Sequence, residues 1–341
     1  MSNVLWYAGY YGYSGSESYN LLEEALETIR KQIERCDAFS GFILMQSLAG
    51  GTGSGLGSHL IEKLRDEFGL AYILSVAVSP FSSGESPLQY YNTILTTSWL
   101  QRYCDGILLF QNNDILQSLI NIASANLKSS SFVSVSMNDL NQKIAYSLAS
   151  LIQPIDALNP TNGILSEQEP WELLRSVCPM PACKFMSIHH TVQSKLSWER
   201  ITKSLLHSMR KYSASGEPFS SISSLVVVRG DSHNTFPASI PAIEKAILSS
   251  CHCVPWNPFP VDFWQGTKHF HLKPSEASVT LCSNSTSVAE LLQTSLDKAK
   301  AMFMAKGYLH WYARYGCTEE VFEDAFEVNQ SVIDNYQSAV T

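Results

Sequence analysis

The densest run of residues able to do chemistry is Ala49-Gly50-Gly51-Thr52-Gly53-Ser54-Gly55-Leu56-Gly57. Glycines let the backbone approach an anion closely, and N–H groups of a loop and of a following helix start can bind phosphate. Thr52 and Ser54 would add hydroxyl donors. The stretch is not a P-loop, because no Gly-Lys-Ser/Thr closes it. It also contains no Gly-x-Gly-x-x-Gly register and no Gly-x-Ser-x-Gly elbow. A tight strand-to-helix connection is the plainer alternative, but five glycines at this spacing favour phosphate. A second cluster, Cys251-His252-Cys253 followed by His269-Phe270-His271, offers ligand types that zinc takes. The Cys-x2-Cys spacing of most zinc sites is missing, and i, i+2 pairs also line one face of a buried strand. Buried thiols are the preferred reading, and no metal site is assigned.

The elements around the glycine run alternate. Gly41 to Leu48 is nearly continuous apolar, as in a strand covered on both faces, and Ser58 to Glu67 reads as a helix. Ala71 to Val78 is another buried strand, Tyr91 to Gln101 a helix and Gly106 to Phe110 a third strand. Upstream, Leu22, Leu26, Ile29 and Ile33 form a helical stripe over 19–36. The βαβα alternation predicts a parallel, doubly wound sheet. A long helix starts near Asn138 and ends before Pro154. Asp156 to Pro170 is polar and contains Pro and Gly, as in a loop at a domain boundary. Strand candidates at 183–188, 224–229 and 277–282 with one or two helices then predict a smaller α+β domain. Two helices, about 286–305 and 318–337, close the chain; Thr318-Glu319-Glu320 caps the second.

Composition narrows the function classes. The 341 residues are 45% hydrophobic and 16% charged with a net charge of −8. Enough apolar surface exists to offset the entropy of ordering, so a disordered or fibrous chain is excluded. A negative charge argues against nonspecific nucleic-acid binding, and no run approaches the roughly 20 apolar residues of a membrane span. No secretory signal is visible, so the eight cysteines are expected as free thiols in the cytoplasm.

Ala49 to Gly55 closely resembles the signature loop of the tubulins. The similarity continues in order through Phe39-Ser40-Gly41-Phe42, Tyr91-Asn92, Asp139-Leu140-Asn141, Val228-Arg229-Gly230, Asn284-Ser285-Thr286 and Leu309-His310-Trp311-Tyr312. Gln111-Asn112-Asn113-Asp114 and Gln89-Tyr90-Tyr91-Asn92 resemble delta- or zeta-type tubulins more than alpha or beta. The resemblance implies a Rossmann-like GTPase sheet in an α/β fold, an α+β second domain and C-terminal helices. The expected segments are 1–153, incomplete at its N-terminus, then 154–284 and 285–341.

The resemblance further implies GTP or GDP as cofactor. Ala49, Gly50, Gly51, Thr52, Gly53 and Ser54 would hold phosphates, Asn113 and Asn141 would present amides to the guanine edge, and Glu85 would lie near the ribose. Glu172, in Glu169-Pro170-Trp171-Glu172, falls where an acid orients water against a neighbouring subunit's nucleotide, so hydrolysis would require assembly. The implied partners are other tubulin subunits and centriolar or basal-body proteins, in the cytoplasm and cytoskeleton, with no nucleic acid and no membrane.

Departures from the family pattern are expected to matter. Met137 stands where alpha and beta tubulins stack a Tyr on the base, and Gln89 where they place a Glu. The family's Gly-Gln-Cys-Gly-Asn-Gln loop and acidic Mg2+ loop have no counterpart here, so a truncated gene model, isoform or fragment is expected, with strand 42–48 lacking a neighbour. The ending Tyr336-Gln337-Ser338-Ala339-Val340-Thr341 lacks a poly-Glu tail. A nucleotide-free scaffold of tubulin shape is the main alternative; a dinucleotide-dependent enzyme would need a fingerprint turn and a ribose acid that are not clear here.

Overall fold

In a computed structural model, the described residues are 5–11, 21–83, 86–126, 135–158, 165–169, 171–194, 197–230, 236–266 and 276–340. Contacts group the chain into two compact units, Met1–Gln111 with Val288–Gln337, and Asn112–Ser287 with Ser338–Thr341. The first unit opens with helices α1 (Trp6–Tyr11) and α2 (Leu21–Ile33), then strand β1 (Gly41–Ser47). A π-helical turn (Thr52–Leu56) runs straight into α3 (Gly57–Glu67), followed by β2 (Tyr72–Ser79), α4 (Gln89–Tyr103) and β3 (Gly106–Gln111). β1 pairs with β2 in parallel from Gly41↔Tyr72 to Ser47↔Val78, and β2 pairs with β3 in parallel from Leu74↔Gly106 to Ser79↔Gln111. The βαβαβ alternation read from the sequence is therefore present.

The second unit holds α5 (Asn112–Asn126), α6 (Met137–Ile152), β4 (Ile155–Leu158), β5 (Leu165–Gln168), α7 (Glu172–Val177) and β6 (Phe185–Ser194). It continues through α8 (Trp198–Ser208), β7 (Ser221–Arg229), α9 (Phe236–Ser250), β8 (Val261–Gly266) and β9 (Glu276–Ser285). β9 lies antiparallel between β6 and β7; β7 pairs with β8 in parallel, and β4 lies antiparallel between β8 and β5. Val226, Val228, Val279 and Leu281 of this sheet pack against Ile201 and Leu205 of α8 and Ile243 and Ile247 of α9. Almost all of α10 (Ser287–Met304), α11 (Leu309–Ala313) and α12 (Glu319–Ser338) belongs to the first unit.

Several expectations are corrected. The glycine run is helical from Thr52 onward, not an open loop. The polar stretch 156–170, expected as a boundary loop, holds β5 and all but the first residue of β4, which pair antiparallel. β1 is not covered on both faces: Met45 is 67% exposed, and among the described residues β1 pairs with β2 alone. α1, α5, α11 and β8 carried no recognised pattern. α1 is only six residues long, and β8 interrupts its apolar residues with Asp262 and Gln265.

α4 explains how the first unit closes. It buries nearly every residue from Tyr91 to Ser98, so it has no polar face to read. Its hydroxyls turn back onto the helix, Thr96 onto Asn92 O at 2.7 Å and Thr97 onto Thr93 O at 2.8 Å. Thr97 Oγ1 also lies 2.6 Å from Asn329 Oδ1, an alternative acceptor for its one proton, and Asn329 Nδ2 donates to Ile94 O at 3.0 Å, which ties α12 to α4.

In the second unit a fully buried Arg229 caps the C-terminal end of α6. Its guanidinium donates to Ser150 O at 2.9 Å, Gln153 O at 2.7 Å and Pro154 O at 3.0 Å. These are carbonyls left over where a helix ends, at the negative end of its dipole. Burial lowers the Arg229 pKa to about 10, so it remains charged at neutral pH. Arg229→Met should lower the unfolding free energy by about 3 kcal/mol, read from the urea midpoint, because it strands those carbonyls. A loss below about 1 kcal/mol would show that they find other partners.

A half-buried cation gives the fold a pH signature. Lys143 on α6 donates to His190 O of β6 at 2.5 Å, and burial lowers its pKa to about 8. The unfolded chain then holds this proton up to about pH 10.4 while the folded chain releases it near 8. Stability should therefore rise between about pH 8 and 10, and Lys143→Met should remove this contribution to the rise in a series of denaturant titrations.

Candidate functional site

The glycine turn follows the C-terminal end of β1, where parallel α/β sheets usually place ligands. Hydrogen bonds fix its entry. Leu48 N donates to Val78 O at 3.0 Å, extending the β1–β2 ladder, and Ala49 N donates to Ser47 Oγ at 3.3 Å. From Gly51, in right-handed helical geometry, the chain winds into the π turn and α3. The first N–H groups of such a helix have no intrahelical acceptor, and no acid sits in its first turn. That arrangement favours an anion.

The glycines divide by what surrounds them. A Cβ at Gly50 would meet nothing within 4 Å. A Cβ at Gly53 would lie 3.0 Å from Ser47 N, and one at Gly57 would collide with the Gln46 amide oxygen. At Gly55 it would overlap the Trp6 carbonyl, and at Gly9 of α1 the Gly51 carbonyl. The backbone of α1 is thus pressed directly onto the turn. Several glycines are required by this close approach, while Gly50 lies on the open side.

Aromatic packing holds α1 in place. Trp6 stacks on Tyr10 at 4.8 Å, and Tyr10 stacks on His59 of α3 at 4.3 Å. Burial raises the Tyr10 hydroxyl pKa, keeping it protonated as a donor to Glu62, which also accepts from Trp99 Nε1 at 2.8 Å. Trp6 Nε1 donates to Ser58 Oγ at 3.3 Å, and Ser58 in turn donates to Ser54 O at 2.6 Å.

Among the expected phosphate-side residues, Thr52 is exposed, Ala49, Gly50 and Gly53 are half-buried, and Gly51 and Ser54 are buried. The Ser54 hydroxyl faces the interior without a hydrogen-bond partner, as does the Gln46 amide. Gln89 is buried and its amide donates to Phe81 O at 3.3 Å. Glu85 lies outside the described residues. Asn113 is exposed in the first turn of α5, Asn141 is exposed on α6, and these two helices pack on each other within the second unit. Met137 is 58% exposed at the start of α6, whose N-terminus Ser136 and Asp139 close as a capping box. Glu172 opens α7 and pairs with Arg175 at 3.8 Å.

None of the eight cysteines is in a disulfide. Burial pushes Cys251 up to about 11 and Cys253 up to about 12, which disfavours the thiolate that a metal takes. His269 and His271 lie outside the described residues. Among the described residues, no three His, Cys, Asp or Glu side chains are grouped as a metal site. No described helix is long and apolar enough to cross a membrane.

Asn92 is the residue that sequence reasoning left without a role. Fully buried on α4, it donates from Nδ2 to Ala49 O at 2.7 Å and accepts at Oδ1 from Trp6 N at 3.0 Å and Tyr312 Oη at 2.6 Å. The available signal was an amide followed four residues later by Thr96, inside a helix otherwise reading as core.

The Tubulin/FtsZ family, GTPase domain, matches residues 5–120, which include β1, the glycine turn and β3. Over 92% of this chain and 74% of its own length, the tubulin delta chain of Homo sapiens is 30% identical. The chain belongs to the tubulin family. The tubulin delta chain of Mus musculus is 29% identical over 93% of this chain and 74% of its own length. The tubulin beta-2 chain of Suillus bovinus is 28% identical over 97% and 73%. The chain is thus a divergent tubulin of delta-like character and a tubulin-like cytoskeletal protein.

The division among the glycines predicts opposite outcomes for one substitution. Gly50→Ala should change the melting temperature by no more than about 2 °C, whereas Gly55→Ala should destabilise by more than about 2 kcal/mol, because backbone must move. Equal effects in thermal unfolding would contradict the placement of α1 on the turn.

Proposed function

We propose that this tubulin-family chain binds GTP or GDP, with the phosphates against the Ala49–Ser54 turn, and acts by assembly in microtubule-based structures of centrioles or basal bodies. The observation that carries the reading is the acid-free helix start at the end of β1, with Thr52 exposed and Gly50 uncrowded. Asn113 and Asn141 are the proposed base-reading amides, each able to donate and accept at the guanine edge. Glu85 is the proposed sugar-side residue. Mg2+ would arrive with the nucleotide. The proposed organisation is a nucleotide-binding segment 1–153, an intermediate segment 154–284 and C-terminal helices 285–341.

Hydrolysis is proposed to occur only in assemblies. Glu172 would then orient water against the nucleotide of an adjacent tubulin subunit. Its half-exposed position opening α7 and its long 3.8 Å pairing with Arg175 support availability for such a contact. The proposed partners are other tubulin subunits and proteins of the centriole or basal body, in the cytoplasm.

One observation favours a second reading, a nucleotide-free scaffold: crowding alone accounts for Gly53, Gly55 and Gly57. Nucleotide content of gently purified protein, by acid release and chromatography, separates the two. Near-stoichiometric guanine nucleotide is the expected result. A folded, empty protein that also fails to bind millimolar GDP would leave the scaffold. Glu172→Gln should leave nucleotide content unchanged and slow GTP turnover of the assembled protein roughly 100-fold. Unchanged turnover would remove Glu172 from the proposed chemistry.

A further inference from the structure

Carbonyl anchoring decides where the N–H groups of the glycine turn point. A trans peptide carries its N–H on the side opposite its C=O. A single residue of α4 holds a carbonyl at the end of β1. Asn92 Nδ2 donates to Ala49 O at 2.7 Å. Because the Ala49 carbonyl is drawn toward buried Asn92, the Gly50 N–H of the same peptide faces away from α4. Gly50 is also uncrowded, with nothing within 4 Å of where a Cβ would sit.

Asn92 cannot rotate freely, because its Oδ1 is held by Trp6 N at 3.0 Å and by Tyr312 Oη at 2.6 Å. Asn92, Trp6 and Tyr312 are all fully buried, and all three lie in the first compact unit. Burial raises the Tyr312 pKa well above its ordinary value, so the hydroxyl stays a donor at any physiological pH. Tyr312 thus fixes the amide, the amide fixes a peptide plane, and the plane aims an N–H.

We propose that Asn92 and Tyr312 are positioning residues that orient the Ala49–Gly50 peptide so that its N–H is presented to a nucleotide phosphate. The inference rests on the reading of the turn as a phosphate site and adds the residues that set its geometry. It also makes α11, which carries Tyr312, part of the machinery of the turn.

Tyr312→Phe in the full chain removes one hydroxyl and keeps the ring. Tyr91→Phe is its control: the Tyr91 hydroxyl is also removed from a buried site, where it donates to Gly307 O at 3.0 Å, but no Asn92 contact is lost. In nucleotide-free protein, amide hydrogen exchange over 48–56 should quicken about 3- to 10-fold in Tyr312→Phe and not in Tyr91→Phe, as expected for loss of one neutral hydrogen bond. GDP affinity should fall by a similar factor in Tyr312→Phe alone. Equal exchange in wild type and Tyr312→Phe, or equal affinity loss in both variants, overturns the proposal. If wild type binds no GDP while the exchange difference persists, the phosphate reading fails and the positioning of the turn stands. Should Tyr312→Phe not fold, Asn92→Asp, which keeps an acceptor for Trp6 N and Tyr312 Oη and removes the donor to Ala49 O, replaces it in the comparison: faster exchange and weaker GDP binding than in Tyr91→Phe are expected, and equality overturns the proposal.

Discussion

A buried asparagine amide has to find partners inside the protein, and in the first unit it finds them on three other elements at once. Asn92 joins α4 to the backbone of α1, to the exit of β1 and to α11. An amide suits that place because it donates on one side and accepts on the other, and leaving either unmet in the interior would cost about 1–3 kcal/mol. The glycines follow from the same closeness. With α1 tied to Asn92 through Trp6 N, its backbone lies on the turn, and Gly9 and Gly55 are positions where any Cβ would meet a carbonyl. Phosphate chemistry and tight packing therefore draw on one set of residues, each using different members of it.

The second unit solves a related problem with charge. α6 ends with carbonyls that have no partner within the helix, and Arg229, buried on β7, reaches three of them. Lys143 on the same helix bonds the His190 carbonyl of β6. Each unit thus uses buried polar groups to fix one end of a strand or helix, and the surrounding apolar packing supplies the bulk of the stability.

Strands with continuous apolar runs and helices with a clear stripe were legible in the sequence. β2, β3, α2 and α12 fall within a few residues of where periodicity puts them. α4 was recognisable as a helix without a readable face, since the sheet side and the α12 side both bury it. The β4–β5 pair was hidden because its residues, such as Asp156 and Glu167, look like a polar loop. In the candidate site, glycine spacing pointed to the turn but not to its helical winding, which depends on α1 pressing from outside. Asn92 was visible as a letter and not as a role, because its partners lie 43, 86 and 220 positions away in the chain.

Membership of the tubulin family makes guanine nucleotide the ligand to test, and the geometry names one backbone group at which to test it. The most direct measurement is the amide resonance of Gly50 in glycine-selective 15N-labelled protein, titrated with GDP and, in parallel, with guanosine. The Gly50 resonance should shift and saturate with GDP and stay in place with guanosine, because the phosphate is what this N–H would meet. A Gly50 resonance that stays unmoved while GDP binds elsewhere on the chain would contradict a phosphate site at the turn.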